Sequence, residues 1–330
     1  GEGSKIEVNN ELISAARVRD SKIRNHTTSA VKTNKEYDAQ NPRSEESLSF
    51  SYSYGNYKKN AESILEDNAQ ISAKRAGFSS QVEQPYILDW NKGDLLTDIK
   101  DKLNTTAGME NHLSSYTNST NKADRVGLVG SVNRMFFNNN SQTKIGRGAE
   151  INLRGDYADQ KSWHSDLLSP AYGVDWQLNW DSPLAVFSDL DIRGVYMAGN
   201  YDLFLAAGGG AEDALSLGGS YSDVNYSGSS KAQILEGTNI DVQNTTGDQK
   251  SGAVSVKANS SNKIIAISPT SGRGTGYGLN GVFAFGSIQN NTEASIDDEA
   301  QISAENIEVK AESEVDGRSY TGAFNMSKNA

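Results

Sequence analysis

Residues 291–313, "NTEASIDDEAQISAENIEVKAES", indicate the fold, because nearly the same sequence occurs more than once in the chain. Residues 59–80 read "KNAESILEDNAQISAKRAGFSS". Residues 138–155, "NNNSQTKIGRGAEINLRG", and residues 228–243, "GSSKAQILEGTNIDVQ", follow the same template. Self-similarity of this kind indicates a repeat architecture in which each unit packs on its neighbours.

Two apolar positions mark each copy of the repeat. The first is occupied by Ile64, Ile145, Ile234 and Ile296, and the second by Ile71, Ile151, Ile240 and Ile302. The second Ile begins an alternation of apolar and polar residues, which predicts a strand with one buried face and one wet face. Another alternating run precedes each polar turn: "SLSFSYSYGNY", "GLVGSVNRMFF", "LSLGGSYSDVNY" and "GLNGVFAFGSI". The unit is therefore strand, Asn-rich turn, strand, tight turn, strand.

The spacing of the first Ile suggests the size of one coil. The separations are 81, 89 and 62 residues, all near multiples of about 20, which fits three short strands and three turns. The sequence therefore predicts an all-β fold, a parallel β-helix solenoid with rows of Ile, Val and Leu between rows of Ala, Ser and Gly. An ordinary β-sandwich is the alternative. Residues 320–330, "YTGAFNMSKNA", are interpreted as another copy cut before its Ile, so the chain is expected to be a piece of a longer polypeptide.

Two segments depart from the repeat. In residues 86–125, Leu95, Leu96, Ile99 and Leu103 follow Asp94 at near-helical spacing, which predicts an amphipathic helix lying on the solenoid. Residues 161–213 form an aromatic-rich β excursion: "VDWQLNWD" alternates as a strand, and residues 191–210 are expected to give two strands around residues 198–200. The predicted organisation is coils at 1–85, 126–160 and 214–330, separated by these two excursions.

Composition excludes several classes of function. The net charge of -11 argues against a nucleic-acid partner. The absence of Cys excludes disulfides, thiolate metal sites and a Cys nucleophile. No run of about 18 apolar residues is present, so the chain is not expected to be an integral membrane protein.

No motif points to a catalytic residue, a metal or a cofactor. The three His residues stand alone, and no HExxH, GxSxG or Walker sequence occurs. The acidic turn at residues 297–299 resembles a calcium ligand set, but Arg147 occupies the matching turn of another copy. We therefore predict no enzyme. The Asp-rich and aromatic-rich residues 156–223 leave one alternative open, cleavage of a polysaccharide by paired carboxylates.

Two groups of residues are candidate binding sites. Arg154, Gly155 and Asp156 form an Arg-Gly-Asp triplet that should sit in an exposed turn after residues 149–153. Such a triplet offers a cation and a carboxylate to a receptor of the integrin type. Trp163, Trp176 and Trp180 are a candidate surface for carbohydrate or another partner, with burial in a core as the competing interpretation.

The repeats at residues 59–77, 129–155 and 281–311 resemble those of very large bacterial exoproteins. These are the filamentous-haemagglutinin-like proteins exported by two-partner secretion, and among them the likeness is closest to the fusobacterial leukotoxins. The resemblance covers about half of the chain and does not include the two excursions. It implies a right-handed β-helix, an outer-membrane transporter partner and a location that is secreted or on the bacterial surface.

The function expected from this resemblance is recognition of a host cell. The chain would be an internal segment of a virulence exoprotein, a toxin or adhesin, whose rigid solenoid contacts a receptor on leukocytes or epithelial cells. A polysaccharide-degrading enzyme and a purely structural spacer are the alternatives.

Overall fold

The fold is all-β in the part of the chain that the structure describes. A computed structural model describes residues 2–20, 25–31, 46–84, 114–121, 126–157, 163–169, 174–180, 182–199, 215–245, 252–274 and 277–327. No helix occurs within these ranges, and so none that is long and apolar enough to cross a membrane. The helix predicted around Leu95–Leu103 lies outside the described residues.

The described residues form eighteen strands. They are β1 (Lys5–Glu7), β2 (Glu11–Arg19), β3 (Asn25–Val31), β4 (Glu46–Leu65), β5 (Gln70–Ala73), β6 (Arg75–Gln84), β7 (Ser115–Asn121), β8 (Val126–Ile145), β9 (Glu150–Gly155), β10 (Trp163–Ser169), β11 (Val174–Trp180), β12 (Leu184–Gly199), β13 (Leu215–Ile234), β14 (Asn239–Asn244), β15 (Ala253–Gly274), β16 (Tyr277–Ile296), β17 (Gln301–Ser303) and β18 (Asn306–Ser327).

Three parallel sheets contain all of these strands except β10 and β11. The short sheet has the order β1-β5-β9-β14-β17, and the four-stranded sheet has the order β16-β13-β8-β4. The seven-stranded sheet has the order β18-β15-β12-β6-β2, with β7 beside β12 and β3 beside β7. The chain visits the short, seven-stranded and four-stranded sheets in turn and then begins again. This path, in which every pairing joins successive passages, is compatible with a β-helix.

One passage through the three sheets is much longer than the 20-residue coil that the spacing suggested, and that expectation is wrong. Ile145, Ile234 and Ile296 pair directly on neighbouring strands. Each separation between them is therefore a single repeat. The reason is strand length: the strands of the four-stranded sheet have 20 residues each, whereas the expected strands had about five.

The second Ile of each repeat forms the predicted row. Paired in register along the short sheet are Ile6, Ile71, Ile151, Ile240 and Ile302. The first Ile needs one correction, because Leu65 rather than Ile64 pairs with Ile145. Ile64 belongs to the outward-facing set of side chains, and Leu65 is the buried member of that row.

A four-residue turn carries the chain from the four-stranded sheet to the short sheet in each repeat. Its third residue has a positive φ in every copy: Asn68 (57°), Gly148 (61°), Gly237 (69°) and Glu299 (60°). Gly and Asn adopt this left-handed conformation readily, which explains the turn chemistry that repeats in the sequence. Glu299 adopts it at a cost in backbone strain.

The interior between the sheets has an aliphatic half and a serine half, and a second hydrophobic cluster that includes Met135, Phe137, Tyr196 and Tyr226 lies between them. The aliphatic half adjoins the short sheet and includes Leu65, Ile71, Phe78, Ile145, Ile151, Leu153, Leu184, Val186, Ile234, Ile240, Val254 and Val256. The serine half lies under the first part of the four-stranded sheet. Its buried residues are Ser49, Ser51, Ser53, Ser115, Thr117, Ser119, Ser131, Asn133, Ser220, Ser222, Ser268 and Thr270.

Several segments outside the repeat core differ from expectation. β7 extends the seven-stranded sheet, so residues 115–121 are strand and not part of a helical excursion. β12 is a central strand of the same sheet, paired with β6 and β15, so residues 184–199 are not an excursion either. A strand occupies residues 191–199, where the first of the two strands around residues 198–200 was predicted, and residues 200–214, where the second was predicted, lie outside the described part. Residues 320–327 belong to β18 and pair with β15, so they do not start another copy of the four-stranded run.

Candidate functional site

The Arg-Gly-Asp triplet lies at the end of β9 and only partly in a turn. Arg154 and Gly155 belong to the strand, and Asp156 follows it. The Arg154 guanidinium Nη2 lies 2.6 Å from Asp241 Oδ2 in the adjacent repeat. It also donates from Nη1 to the carbonyl oxygens of Leu153 (3.1 Å) and Asp241 (3.2 Å). The cation of the triplet is thus engaged within the molecule.

Gly155 is buried under an aromatic ring. A Cβ at this position would lie 2.7 Å from Cε1 of Tyr157. The Tyr157 hydroxyl donates to the carbonyl oxygen of Lys74, and burial raises the pKa of Tyr157 to about 12. Arg154 and Asp156 both have exposed side chains, and the Arg154 guanidinium is engaged in the ion pair with Asp241. The receptor-binding role of the triplet stays a prediction.

The three Trp residues of the predicted aromatic surface lie on one antiparallel hairpin, β10–β11. Trp163 pairs with Trp180, and Trp176 pairs with Leu167. The Trp180 side chain is 2% exposed and covers Gly77. Trp180 therefore anchors the hairpin to the seven-stranded sheet, as the competing interpretation of a core residue proposed. The side chains of Trp163 and Trp176 lie outside the described part of the chain.

A large apolar surface that sequence reasoning missed covers the first part of the four-stranded sheet. We call it the outer aromatic face, and its members are Leu48, Phe50, Tyr52, Tyr54, Leu128, Val132, Phe136, Leu217, Tyr221, Leu279, Phe283 and Phe285. Its side chains point away from the serine half. Leu279 and Leu48 keep 68% and 66% of their surface exposed. A contiguous exposed patch of this kind marks an interaction site in soluble proteins.

The pairing register orders the outer aromatic face into rows that run across the strands. One row consists of four leucines: Leu48, Leu128, Leu217 and Leu279. The next has Phe50 followed by Gly130, Gly219 and Gly281, and the one after it has Tyr52, Val132, Tyr221 and Phe283. The glycine row is therefore a groove with an aliphatic wall on one side and a mainly aromatic wall on the other.

The groove is filled at one end and open at the other. The Phe50 ring lies over Gly130, because a Cβ there would be 2.8 Å from Phe50 Cδ2. Above Gly219 and Gly281 the nearest atoms to such a Cβ are 3.7 Å and 3.9 Å away. Two glycines thus leave room for a side chain from another molecule.

A fixed polar group interrupts the apolar rows. Arg134 Nη2 and Asp223 Oδ2 are 3.2 Å apart, and Asn225 donates to Asp223 Oδ1 at 2.8 Å. The Arg134 guanidinium also lies 5.3 Å from the centre of the Phe136 ring, within the range of a cation–π contact. Tyr221 and Phe285 flank the pair with ring centres 5.8 Å apart. The only two charged side chains among these rows therefore neutralise each other.

The outer face of the seven-stranded sheet carries a group of carboxylates. Asp189 lies near Asp191 and Glu83, and Arg17 forms an ion pair with Glu83 at 2.8 Å. Burial, and then the charges of Asp191 and Glu83, raise the pKa of Asp189 to about 7. A carboxyl group that is half protonated near neutral pH has the property required of a general acid. Among the described residues no group of three or more His, Asp or Glu side chains is arranged to hold a metal ion.

Comparison with known proteins adds no relative. No family model, no curated protein and no solved structure matches the chain.

Proposed function

We propose that the chain is a recognition segment of a secreted bacterial virulence exoprotein of the leukotoxin or adhesin type. In this proposal the parallel sheets form a rigid right-handed β-helix that presents binding surfaces to leukocytes or epithelial cells. A two-partner outer-membrane transporter exports the parent protein, which is secreted or stays on the bacterial surface. The chain itself is not an enzyme.

The observation that carries the proposal is the register between repeats. Equivalent residues of successive repeats pair side by side in three parallel sheets, and the Ile row of the short sheet spans five strands. A stack built this way is quasi-one-dimensional, with each repeat held by its neighbours. Such a scaffold suits an extended exoprotein better than it suits a closed catalytic pocket.

The contact with the host receptor is assigned to Asp156 and to the hairpin β10–β11. Asp156 is exposed beside a strand end that Tyr157 and the Arg154–Asp241 ion pair hold in place. The hairpin is anchored to the sheet through Trp180. Both features are additions to the repeat, and binding residues on rigid scaffolds are concentrated in such additions.

The test is binding of the labelled chain to leukocytes and epithelial cells by flow cytometry. We expect saturable binding that is lost in Asp156→Glu, because the longer side chain displaces the carboxylate. The matched control is Asp298→Glu, an exposed carboxylate in the turn of the last repeat. Absence of saturable binding to either cell type contradicts the proposal and favours the spacer.

A polysaccharide-degrading enzyme is the second candidate, and the Asp189 group is the observation that favours it. Asp189 and Asp191 lie in the segment singled out for its Asp and aromatic residues, and the pKa of Asp189 is raised to about 7. A reducing-sugar assay on neutral and acidic glycans tests it. The control is Asp316→Asn, which changes a carboxylate on the outer face of β18. Activity that is lost in Asp189→Asn and retained in Asp316→Asn would show that the chain is an enzyme and not a recognition segment.

A further inference from the structure

The outer aromatic face is large enough for a specific interface. Its four strands span about 19 Å, and the rows from Leu48 to Asn56 span about 27 Å along the strands. That footprint is about 500 Å² for one molecule, and two such surfaces facing each other bury about 1,000 Å², where specific protein interfaces begin. The face is rich in Tyr, Phe and Leu and holds one internal ion pair, and depletion of charge is typical of an interface centre.

The rows of this face are complementary to themselves. We propose that the outer aromatic face binds the same face of a second copy of this chain, in a two-fold symmetric dimer. The two-fold axis runs parallel to the strands between β8 and β13, so that β4 of one copy lies across β16 of the other. Each row then meets the same row in reverse order, as in the aligned packing of two sheets.

The glycine row shows the fit most clearly. Its one large side chain, Phe50, stands on β4, and its open end lies at Gly281 on β16. In the proposed arrangement the Phe50 ring of each copy, which extends from β4 over Gly130, faces the open positions Gly219 and Gly281 of the other copy. A bulky residue and a vacant position of the same row therefore meet twice, once on each side of the axis, as an isologous interface requires.

Neighbouring rows agree with this arrangement. In the leucine row, Leu48 faces Leu279 of the second copy and Leu128 faces Leu217. In the row that contains the ion pair, Arg134 faces Asp223 of the second copy, so opposite charges meet across the interface. Tyr52 faces Phe283, which joins two rings with favourable edge or offset contacts. No row of the outer aromatic face brings two like charges together.

The first test is the mass of the purified chain in solution by sedimentation velocity. Over about 1 to 200 µM, the range in which a small interface forms, we expect a shift from one to two copies. Gly281→Phe should raise the dissociation constant at least about tenfold, because the new ring occupies the position that Phe50 of the other copy needs. The fold should tolerate this change, since the space above Gly281 is open.

The matched control is Gly322→Phe on β18. A Cβ at Gly322 meets nothing within 4 Å, and the residue lies in the seven-stranded sheet. This variant adds the same ring at an equally open glycine and should leave the dissociation constant unchanged. Equal weakening by both variants would mean that the outer aromatic face is not the interface.

The second test is a disulfide between copies, since the chain has no Cys of its own. Phe50→Cys and Gly281→Cys in one chain lie on opposite edges of the four-stranded sheet, about 14 Å apart, beyond the reach of a disulfide within one molecule. Oxidation should give a covalent dimer. Phe50→Cys with Gln289→Cys, eight residues further along β16, should give none.

Several outcomes overturn the proposal. A monomer mass at every concentration would overturn it, whether or not the monomer binds glycans or lipid vesicles through this face. A ladder of trimers and larger species does so too, because it would indicate open-ended pairing of the β4 and β16 edges. The proposal is independent of host-cell recognition, because cell binding at Asp156 and self-association at Gly281 are measured on different surfaces.

Discussion

The two halves of the four-stranded sheet share their strands and their register. In one half the apolar side chains point inward, and in the other half they point outward. In the second half, Leu65, Ile145 and Ile234 point inward, and the outward positions other than Ile64 are polar. In the first half, serines point inward and the outward positions are Leu, Phe and Tyr. No register shift separates the halves, because β4, β8 and β13 are each one continuous strand.

Alternation of apolar and polar residues fixes which residues share a face of the sheet but not which face is buried. In the aliphatic half, burial of apolar surface stabilises the fold by about 25 cal/mol for each Å² removed from water. In the serine half, several hydroxyl groups bond to each other across the sheets, as Ser119 does to Ser51 (2.7 Å) and Ser220 does to Ser268 (2.8 Å). Each such bond contributes about 1 kcal/mol net. The serine half is therefore held by polar contacts, and its apolar residues remain available to a partner.

The largest effect on stability is expected in the aliphatic half. Ile151 is fully buried at the centre of the Ile row, between Ile71 and Ile240. Ile151→Ala should lower the free energy of unfolding by about 3–5 kcal/mol, since it removes buried methyl groups and leaves a cavity. Urea denaturation measures the change. Ile64→Ala, on the outward side, is the control and should cost less than about 1 kcal/mol.

Gly77 lies on a crowded surface and Gly219 on an open one, so the two positions should differ in how well they tolerate a side chain. Gly77→Ala should destabilise the fold by about 1–3 kcal/mol, because the new methyl group meets the Trp180 ring at 2.7 Å and displaces it. Gly219→Ala on the outer aromatic face should change stability by less than about 0.5 kcal/mol. Thermal unfolding of both variants checks the contrast. Equal losses would mean that the groove above Gly219 is closed.

The outer face of the seven-stranded sheet should give a smaller, pH-dependent effect. The pKa of Asp189 is raised from an ordinary value of 3.8 to about 7, chiefly by burial. The folded protein then holds a proton that the unfolded chain has lost, so stability falls as pH rises from about 4 to about 7. Asp189→Asn should remove about 1–2 kcal/mol of this fall, allowing for solvent screening. Urea midpoints at pH 5 and pH 8 measure it, and an unchanged pH slope in the variant would contradict the assignment.

The smallest effect is expected where two hydroxyl groups are deleted together. Ser51 and Ser131 share a hydrogen bond of 3.3 Å in the serine half. Ser51→Ala with Ser131→Ala should change stability by no more than about 1 kcal/mol, because both partners of this bond are removed at once and Ser119, which also bonds to Ser51, keeps its bond to the Gly130 carbonyl oxygen. Each single change should cost less than that sum, since Ser51 keeps its bond from Ser119 and Ser131 keeps its bond to the Gly199 carbonyl oxygen. A loss of several kcal/mol in the double variant would assign the serine half a larger role in folding.

The sequence predicted the parts of the fold that depend on local chemistry. The Ile row of the short sheet and the Asn- and Gly-containing turns follow from residues close in the chain. The repeat length did not, because the 20-residue strands of the four-stranded sheet contain glycines and serines that elsewhere mark turns. The ion pair of Arg154 was also beyond prediction, since Asp241 is brought beside it only by the register between repeats. The sequence signal for the outer aromatic face is the Ser–aromatic alternation of residues 47–54. Whether its aromatic side chains point inward or outward depends on the hydroxyl groups of the facing sheet, which the alternation does not reveal.

The most direct test of the contrast between the halves is a thiol-labelling scan of β4 in dilute solution, where copies do not associate. We expect Cys to react rapidly in Tyr52→Cys and Tyr54→Cys and slowly in Ser51→Cys and Ser53→Cys. In the second half of the strand, Glu62→Cys should react rapidly and Ser63→Cys slowly, because even-numbered residues point outward along the whole strand. Rapid labelling at Ser51→Cys together with protection at Tyr52→Cys would show that the aromatic residues face inward, and the outer aromatic face would then not exist.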